Sequence, residues 1–290
     1  MTQISRREAL RGIGAAAAGC LFCIDGDASG QAITIGGRRV TARVASISPH
    51  TLRVMVTPAD ARADLNWDGA LAGLDQREKT VTAGSTIKLG ELTVAPSTSP
   101  LEFRVSDARG TAVQDLTLDA ETGALHFTIG NAPVLGFGEG GAQFDRRGVV
   151  DQMRNGQGGY QLRTHGGRVP IQWLIGTSGW ALFIHQPFGT FDLKGPSGTV
   201  TPTRTDERSL PLDCFVVVSK DPGVIMREYA HITGLPEMPP LWSFGYQQSH
   251  RTLSGPDEIM WVAKTMREKK LPCDALIYLG TDFCPSGWNT

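Results

Sequence analysis

Net charge is almost missing from this chain: 28 Lys and Arg stand against 29 Asp and Glu in 290 residues, a balance of −1 at neutral pH. No basic stripe offsets that balance, so the electrostatic footprint of a nucleic-acid binder is absent. Cysteine is scarce, with five residues, and no Cys/His spacing would hold zinc. Cys214 sits in an evident apolar strand over residues 213–218 and reads as a small buried residue. Cys273 and Cys284 bracket another strand, too far apart for a disulfide. Neither a metal nor another cofactor is expected. No apolar run reaches the roughly twenty residues of a membrane span. Long helical periodicity is missing before Asp221. What is present, 40 % hydrophobic and 20 % charged residues, describes an ordinary globular protein of one large or two ordinary domains. Its 35 glycines suit many short strands joined by tight turns.

Residues 1–30 have the layout of an export leader. Arg6 and Arg7 precede a short h-region rich in Ala and Gly, the pattern of a twin-arginine signal, and Cys20 and Cys23 lie inside it. The expected destination is periplasmic or extracellular. Ala18-Gly19-Cys20 also ends like a lipoprotein cleavage box, which makes Cys20 a candidate lipid anchor. Ala17 stands where such a box carries leucine, so the argument for lipidation is thinner than that for export.

Residues 31–234 read as an antiparallel β-sandwich. Val40, Ala42 and Val44 alternate with polar residues, as do Leu52, Val54 and Val56, and the pattern continues through residues 87–89, 92–94, 103–105 and 125–129. His126 falls inside one of these strands and reads as a rim or core histidine. Residues 136–141 spell G-x-G-x-x-G, but a dinucleotide fingerprint needs a helix to open at its third glycine. Glycine-rich sequence follows instead, so the stretch reads as a long loop. Asp145 and Arg146, with Arg147, are candidates to reach a ligand or to form a surface ion pair. Residues 170–175 and 179–184 form an apolar hairpin. Asp221 then caps a helix that has Pro222 at its first position, Ile225, Met226, Tyr229 and Ile232 on one face, and Gly234 at its end.

A proline-rich connector opens the last segment, residues 235–290. Residues 241–249 alternate with period two, Trp242, Phe244, Tyr246 and Gln248 sharing a face, and read as a strand. A helix follows, capped by Ser254 or Gly255, with an apolar stripe of Ile259, Val262, Ala263 and Met266. Residues 275–279 are an apolar run of the kind covered on both faces. Strand, helix and strand in this order predict a right-handed parallel crossover. Ligands bind such units at the carboxyl ends of the strands. There Gln248, Asp282 and Trp288 offer hydrogen-bonding groups and an aromatic ring, a set that suits a polyhydroxylated ligand.

The order G-F-G-E, F-D-R-R-G, P-I-Q-W-L-I, G-W-A-L-F-I-H-Q-P, D-P-G-V-I-M-R-E-Y-A-H-I-T-G, P-P-L-W-S-F-G-Y-Q-Q-S and L-P-C-D-A-L-I-Y-L, over about residues 133–279, resembles glycoside hydrolase family 31. The resemblance implies a galactose-mutarotase-like sandwich followed by a (β/α)8 barrel, here reaching only the second barrel strand. It implies a retaining α-glycosidase acting on α-linked glucosides or xylosides, with a carbohydrate as partner. The nucleophile and the acid/base come from later barrel strands in the family and are expected beyond Thr290. The loop 136–148 matches a sandwich loop near the family's active-site mouth, and Gln248 matches a pocket-floor residue. Asp282 is displaced by two or three residues from the family's sugar-binding aspartate. The alternative is a sandwich that binds carbohydrate without catalysis, or an inactive fragment.

Overall fold

The structure is a computed structural model that describes residues 19–24, 33–60, 76–81, 84, 86–140, 143–153, 169–185, 189–202, 212–250 and 254–278. The chain divides into two compact units, Met1–Gly234 and Leu235–Thr290.

The first unit is mostly β. It begins with β1 (Gly19–Ile24), β2 (Thr34–Ile35), β3 (Arg38–Ser46), β4 (Thr51–Pro58), β5 (Gln76–Val81) and β6 (Ile87–Leu89). Next come β7 (Leu92–Thr98), β8 (Leu101–Ser106), β9 (Ala112–Leu118), β10 (Leu125–Thr128), β11 (Val134–Gly136) and β12 (Val150–Asp151). The series ends with β13 (Trp173–Gly176), β14 (Trp180–Ile184), β15 (Gly189–Asp192), β16 (Ser197–Pro202) and β17 (Leu212–Val218). One sheet runs β11-β13-β14-β17-β4-β3-β1-β5 with β2 added to β3, and the other runs β12-β15-β16-β10-β9-β8-β7-β6. Among the described pairings of the first unit only β1 with β5 is parallel. β1 comes from the segment expected to be an export leader, and its backbone is paired on both sides, with β3 and β5.

Alternation decides which side chains meet. Val44, Val54, Leu182 and Val216 from the first sheet share one hydrophobic cluster with Val94, Phe103, Leu116 and Phe127 from the second. The opposite face of the first sheet carries a smaller cluster in which Phe215, Val217, Ala181 and Trp173 pack against Ile225 and Ile232 of helix α1 (Pro222–Thr233). The Asp221 carboxylate accepts from the Gly223 N–H at 2.7 Å, and Gly234 at φ 84° closes the helix. Met226, expected on the buried face, is exposed, so the buried stripe is narrower than its spacing predicted. Glu228 ties α1 to the β3–β4 turn by accepting from Ser48 Oγ (2.7 Å) and Thr51 Oγ1 (2.6 Å).

β4 and β17 are covered on both faces, which is why β17 reads as an almost continuous apolar run. Two charges lie between them. Arg53 Nε and Nη2 donate to Asp213 Oδ1 and Oδ2, both at 2.6 Å, with the two residues 1 % and 0 % exposed. His185 Nδ1 is 3.0 Å from Asp213 Oδ2, and the guanidinium sits 5.0 Å from the centre of the Phe215 ring.

The second unit begins with a 3-10 turn at Leu241–Phe244, followed by β18 (Gln247–His250), helix α2 (Pro256–Glu268) and β19 (Ala275–Tyr278). β18 and β19 are parallel, Gln247 opposite Ala275 and His250 opposite Tyr278. The expected strand over 241–249 therefore starts six residues late. Ser243 donates to the Pro240 carbonyl from both its backbone (2.9 Å) and its hydroxyl (2.7 Å), and Gly245 N–H donates to Trp242 O. These local bonds satisfy the backbone that a strand would have left to a neighbour. Glu258 accepts from the backbone and hydroxyl of Ser254 at 2.7 and 2.8 Å, fastening the start of α2. Ile259, Val262, Ala263 and Met266 are half-buried, so the stripe exists, but β19 is not covered on both faces, since Ile277 and Tyr278 are exposed.

Breaking a buried ion pair leaves one charge without compensation. Asp213→Ala is expected to destabilise the protein by about 3–5 kcal/mol in chemical denaturation. A loss below about 1 kcal/mol, the size of a surface pair, would contradict that role.

Candidate functional site

The loop after β11 is tied to its neighbours by hydrogen bonds of its described residues. At its root Phe137 N–H donates to the Trp173 carbonyl at 2.9 Å, and Glu139 and Val169 exchange backbone hydrogen bonds of 2.9 and 3.1 Å. Gly136 (φ 113°) and Gly138 (φ 75°) lie so close to the opposite chain that a Cβ would run into the carbonyls of Trp173 and Val169. Phe137 between them has φ 67°, an uncommon value for a side chain of its size. Its fully buried ring, edge-on to Phe191 with centroids 4.8 Å apart, offsets that strain.

The polar residues singled out in the sequence hold this loop together. Arg146 is 7 % exposed; its backbone N–H donates to Val134 O (2.7 Å), Nε to Gly136 O (3.0 Å) and Nη2 to Gly140 O (2.9 Å). Asp145 Oδ1 accepts from the backbone N–H groups of Val134 (3.1 Å) and Arg147 (3.2 Å), and Oδ2 from Arg147 Nη2 (2.6 Å). Arg147 Nη1 donates to Asn131 O at 2.6 Å, and Gln143 Nε2 donates to the carbonyls of Asp145 (2.6 Å) and Arg147 (3.0 Å). The Asp145–Arg147 contact is the ion pair allowed for from the sequence. The guanidinium of Arg147, aided by the two backbone donors and opposed by partial burial, holds the Asp145 carboxyl well below the usual carboxylate range. Among the described residues of the loop the large apolar one that is exposed is Phe144, at 92 %. Sequence reasoning passed over it. The signal was a single large apolar residue in an otherwise glycine-rich and polar stretch.

In the second unit Gln248 accepts from Tyr246 Oη at 2.5 Å and donates through Nε2 to Ser249 O at 3.1 Å. With His250, Ile259, Val262, Leu276, Ile277 and Tyr278 it lines a cavity of about 50 Å³ between α2 and the strand pair, too small for a sugar. A more open groove of about 390 Å³, lined by Lys264, Arg267, Cys273, Asp274 and Leu276 among others, does not include Gln248. Asp282 and Trp288 lie outside the described residues. Asp145 and Arg146 belong to one unit and Gln248 to the other. Among the described residues no three His, Cys, Asp or Glu side chains are grouped to hold a metal.

Comparison with known proteins adds the class. Residues 236–285 match the model of the glycosyl hydrolases family 31 TIM-barrel domain. An α-xylosidase of Emericella nidulans is 28 % identical over 191 residues, covering 63 % of this chain and 23 % of that enzyme. Among solved structures, a family 31 dextranase of Flavobacterium johnsoniae in complex with isomaltotriose superposes on 85 % of this chain with a TM-score of 0.65 at 15 % identity. A family 31 α-xylosidase from a soil metagenome, in complex with xylose, superposes on 82 % with a TM-score of 0.60 at 17 % identity. At these identities the two structures show a shared fold and no more. The chain spans 23 % of the Emericella enzyme and 34 % and 38 % of the two solved chains. The sequence matches add that residues 236–285 are similar to the barrel domain of glycoside hydrolase family 31 and that a wider part of the chain is similar to an enzyme described as an α-xylosidase.

An aspartate with a depressed folded-state pKa contributes stability above its unfolded value of about 4, and loses that contribution only as pH falls through the folded value. The carboxyl carbon resonance of Asp145 is therefore expected to stay constant from pH 7 down to about 4 and to titrate below it, with Arg147→Ala moving the midpoint up. A midpoint in the ordinary range in the unmutated protein would contradict the pairing.

Proposed function

We propose that this chain supplies part of a retaining α-glycoside hydrolase acting on α-linked glucosides or xylosides. The observation that carries the reading is the parallel β18–α2–β19 crossover, which lies within the residues matched by the family's TIM-barrel model. On this reading the two facing sheets are a galactose-mutarotase-like sandwich, and the crossover is the first unit of a (β/α)8 barrel. Substrate then meets the chain at the carboxyl ends of β18 and β19; Gln248 lies within β18, and Asp282 and Trp288 follow β19 in the sequence, outside the described residues.

Retaining hydrolysis uses two carboxyl groups about 5–5.5 Å apart. One attacks the anomeric carbon as the leaving oxygen is protonated by the other; the second then removes a proton from the water that releases the sugar. Asp145 is not assigned either role. Its depressed pKa leaves it without a proton to give near neutral pH, and Arg147 and two backbone N–H groups already occupy its oxygens. The contribution of this chain is to bind and orient, through the strand ends of the second unit. The nucleophile and the acid/base belong to barrel strands after β19.

The reading is tested by release of 4-nitrophenol from aryl α-glucosides and α-xylosides, comparing the 290-residue chain with the full product of its gene. Turnover with retained anomeric configuration by the full product, and none by the 290 residues, is expected. Turnover by the 290-residue chain would overturn the placement of the chemistry, and inversion of configuration would overturn the mechanism.

A further inference from the structure

We propose that the outward face of α2 binds the same face of a second copy of this chain, antiparallel across a two-fold axis. The inference goes beyond the hydrolase reading and needs only α2 and the strands it covers. Ile259, Val262, Ala263 and Met266 form the half-buried stripe of α2 toward β18 and β19. Asp257, Trp261 and Lys264 fall at i, i+4 and i+7 on the other side of the helix, about 150–170° from the centre of that stripe. Met260 stands beside Trp261. All four are exposed, Met260 at 54 % and Trp261 at 64 %. A helix laid on a sheet ordinarily keeps this side polar, and here it carries two large apolar residues together. Strands and helices added beside β18 and β19 would meet the strand edges and the flanks of α2, not the side on which Trp261 stands.

The order of charges names the occupant. Glu258 is engaged by Ser254, and Arg267 by the Cys273 carbonyl, which leaves Asp257 and Lys264 on either side of the apolar pair. Neither makes an ion pair among the described residues. Glu268 lies a turn further on, past the patch. An isologous interface must be complementary to itself. Residues 257 and 264 share their midpoint with residues 260 and 261, so one antiparallel register satisfies both pairs. It sets Asp257 against the partner's Lys264 and Met260 against the partner's Trp261, and symmetry makes each contact twice. Sulfur against an indole at the centre and ion pairs at the rim are the anatomy of a small protein interface. Opposed helix dipoles favour the antiparallel arrangement, whereas a parallel one would set acid on acid and base on base. A single helix face is at the small end of interface size, below about 1,200 Å² in total, so the association belongs to the weak class.

The test is sedimentation equilibrium of the full product of the gene, from dilute to concentrated solution, where a monomer–dimer equilibrium is expected. Trp261→Ala is expected to raise its dissociation constant roughly ten- to thirtyfold, as loss of a central aromatic does. Asp257→Lys and Lys264→Asp, each setting like charges together at both rims, are expected to raise it by about tenfold or more. The doubly reversed chain, and an equimolar mixture of the two single variants, are expected to dimerise again, because opposite charges then face each other. Recovery on mixing is a result that misfolded variants cannot give. A monomer at every concentration would overturn the proposal. A lower melting temperature of monomeric Trp261→Ala would then assign the face to a later part of the same chain, and fluorescence quenching by isomaltotriose that this variant loses would assign it to a sugar. Dimers that persist in Trp261→Ala, or single variants that stay apart when mixed, would overturn it as well. Turnover is read separately: hydrolysis by a monomeric full product removes the dimer alone, whereas its absence removes the hydrolase reading whether or not α2 pairs.

Discussion

The constraint on which the rest of the first unit depends is the burial of β4 and β17 on both faces. Leu52, Val54 and Val56 face one cluster with Cys214 and Val216, while Phe215 and Val217 face the other. A strand pair of this kind has no polar face, so any charge on it must be matched within the sheet. Arg53 and Asp213 meet that demand. Phe215 lies directly opposite Arg53, and Asp213 lies two residues along, at the diagonal position that a long side chain can reach. A slip of one residue in either strand would turn that strand's charge to the opposite face and away from its partner, so the pair fixes register as well as satisfying itself.

The order of the sheet then sets what happens at its edge. β14 pairs with β17, β13 with β14, and β11 with β13, so the edge strand inherits the register of the centre. Beyond β11 the loop continues along the same neighbour until glycine is required by the approach of Trp173 and Val169. Arg146 and the Asp145–Arg147 pair close the loop on itself. Packing at the centre is thus carried outward, by hydrogen-bond registry, to the described residues of the loop. This is the physical sense in which a sheet can serve as scaffold for a binding loop.

Much of the first unit could be read from residue order. Alternation in residues 40–44 and 52–56, the cap at Asp221, and the absence of a helix among the described residues directly after Gly136 follow from periods and backbone chemistry that act locally. Other features depended on where the chain sends a carbonyl, which no period reveals. Residues 241–246 alternate like a strand, yet Ser243 and Pro240 close a turn there. Asp145 and Arg146 have the composition of ligand contacts, but the carbonyls of Gly136 and Gly140 and the Val134 N–H stand within reach and engage them. Phe144 was invisible for the complementary reason, because an apolar residue is assumed to be buried until a structure exposes it. Asp282 and Trp288 lie outside the described residues.

The two units also differ in how far they satisfy themselves. In the second, Gly255 and Cys273 are the only described residues that are buried, and Trp242, Phe244, Tyr246 and Trp261 are all exposed. Backbone amides that open without exposing a core exchange readily, and those locked in a doubly covered strand exchange only on global unfolding. Residue-resolved hydrogen exchange on the 290-residue chain tests this division most directly. Amides of β4 and β17 are predicted to be the last to exchange, long after those of β18, α2 and β19. Equal protection of the two units would contradict the account.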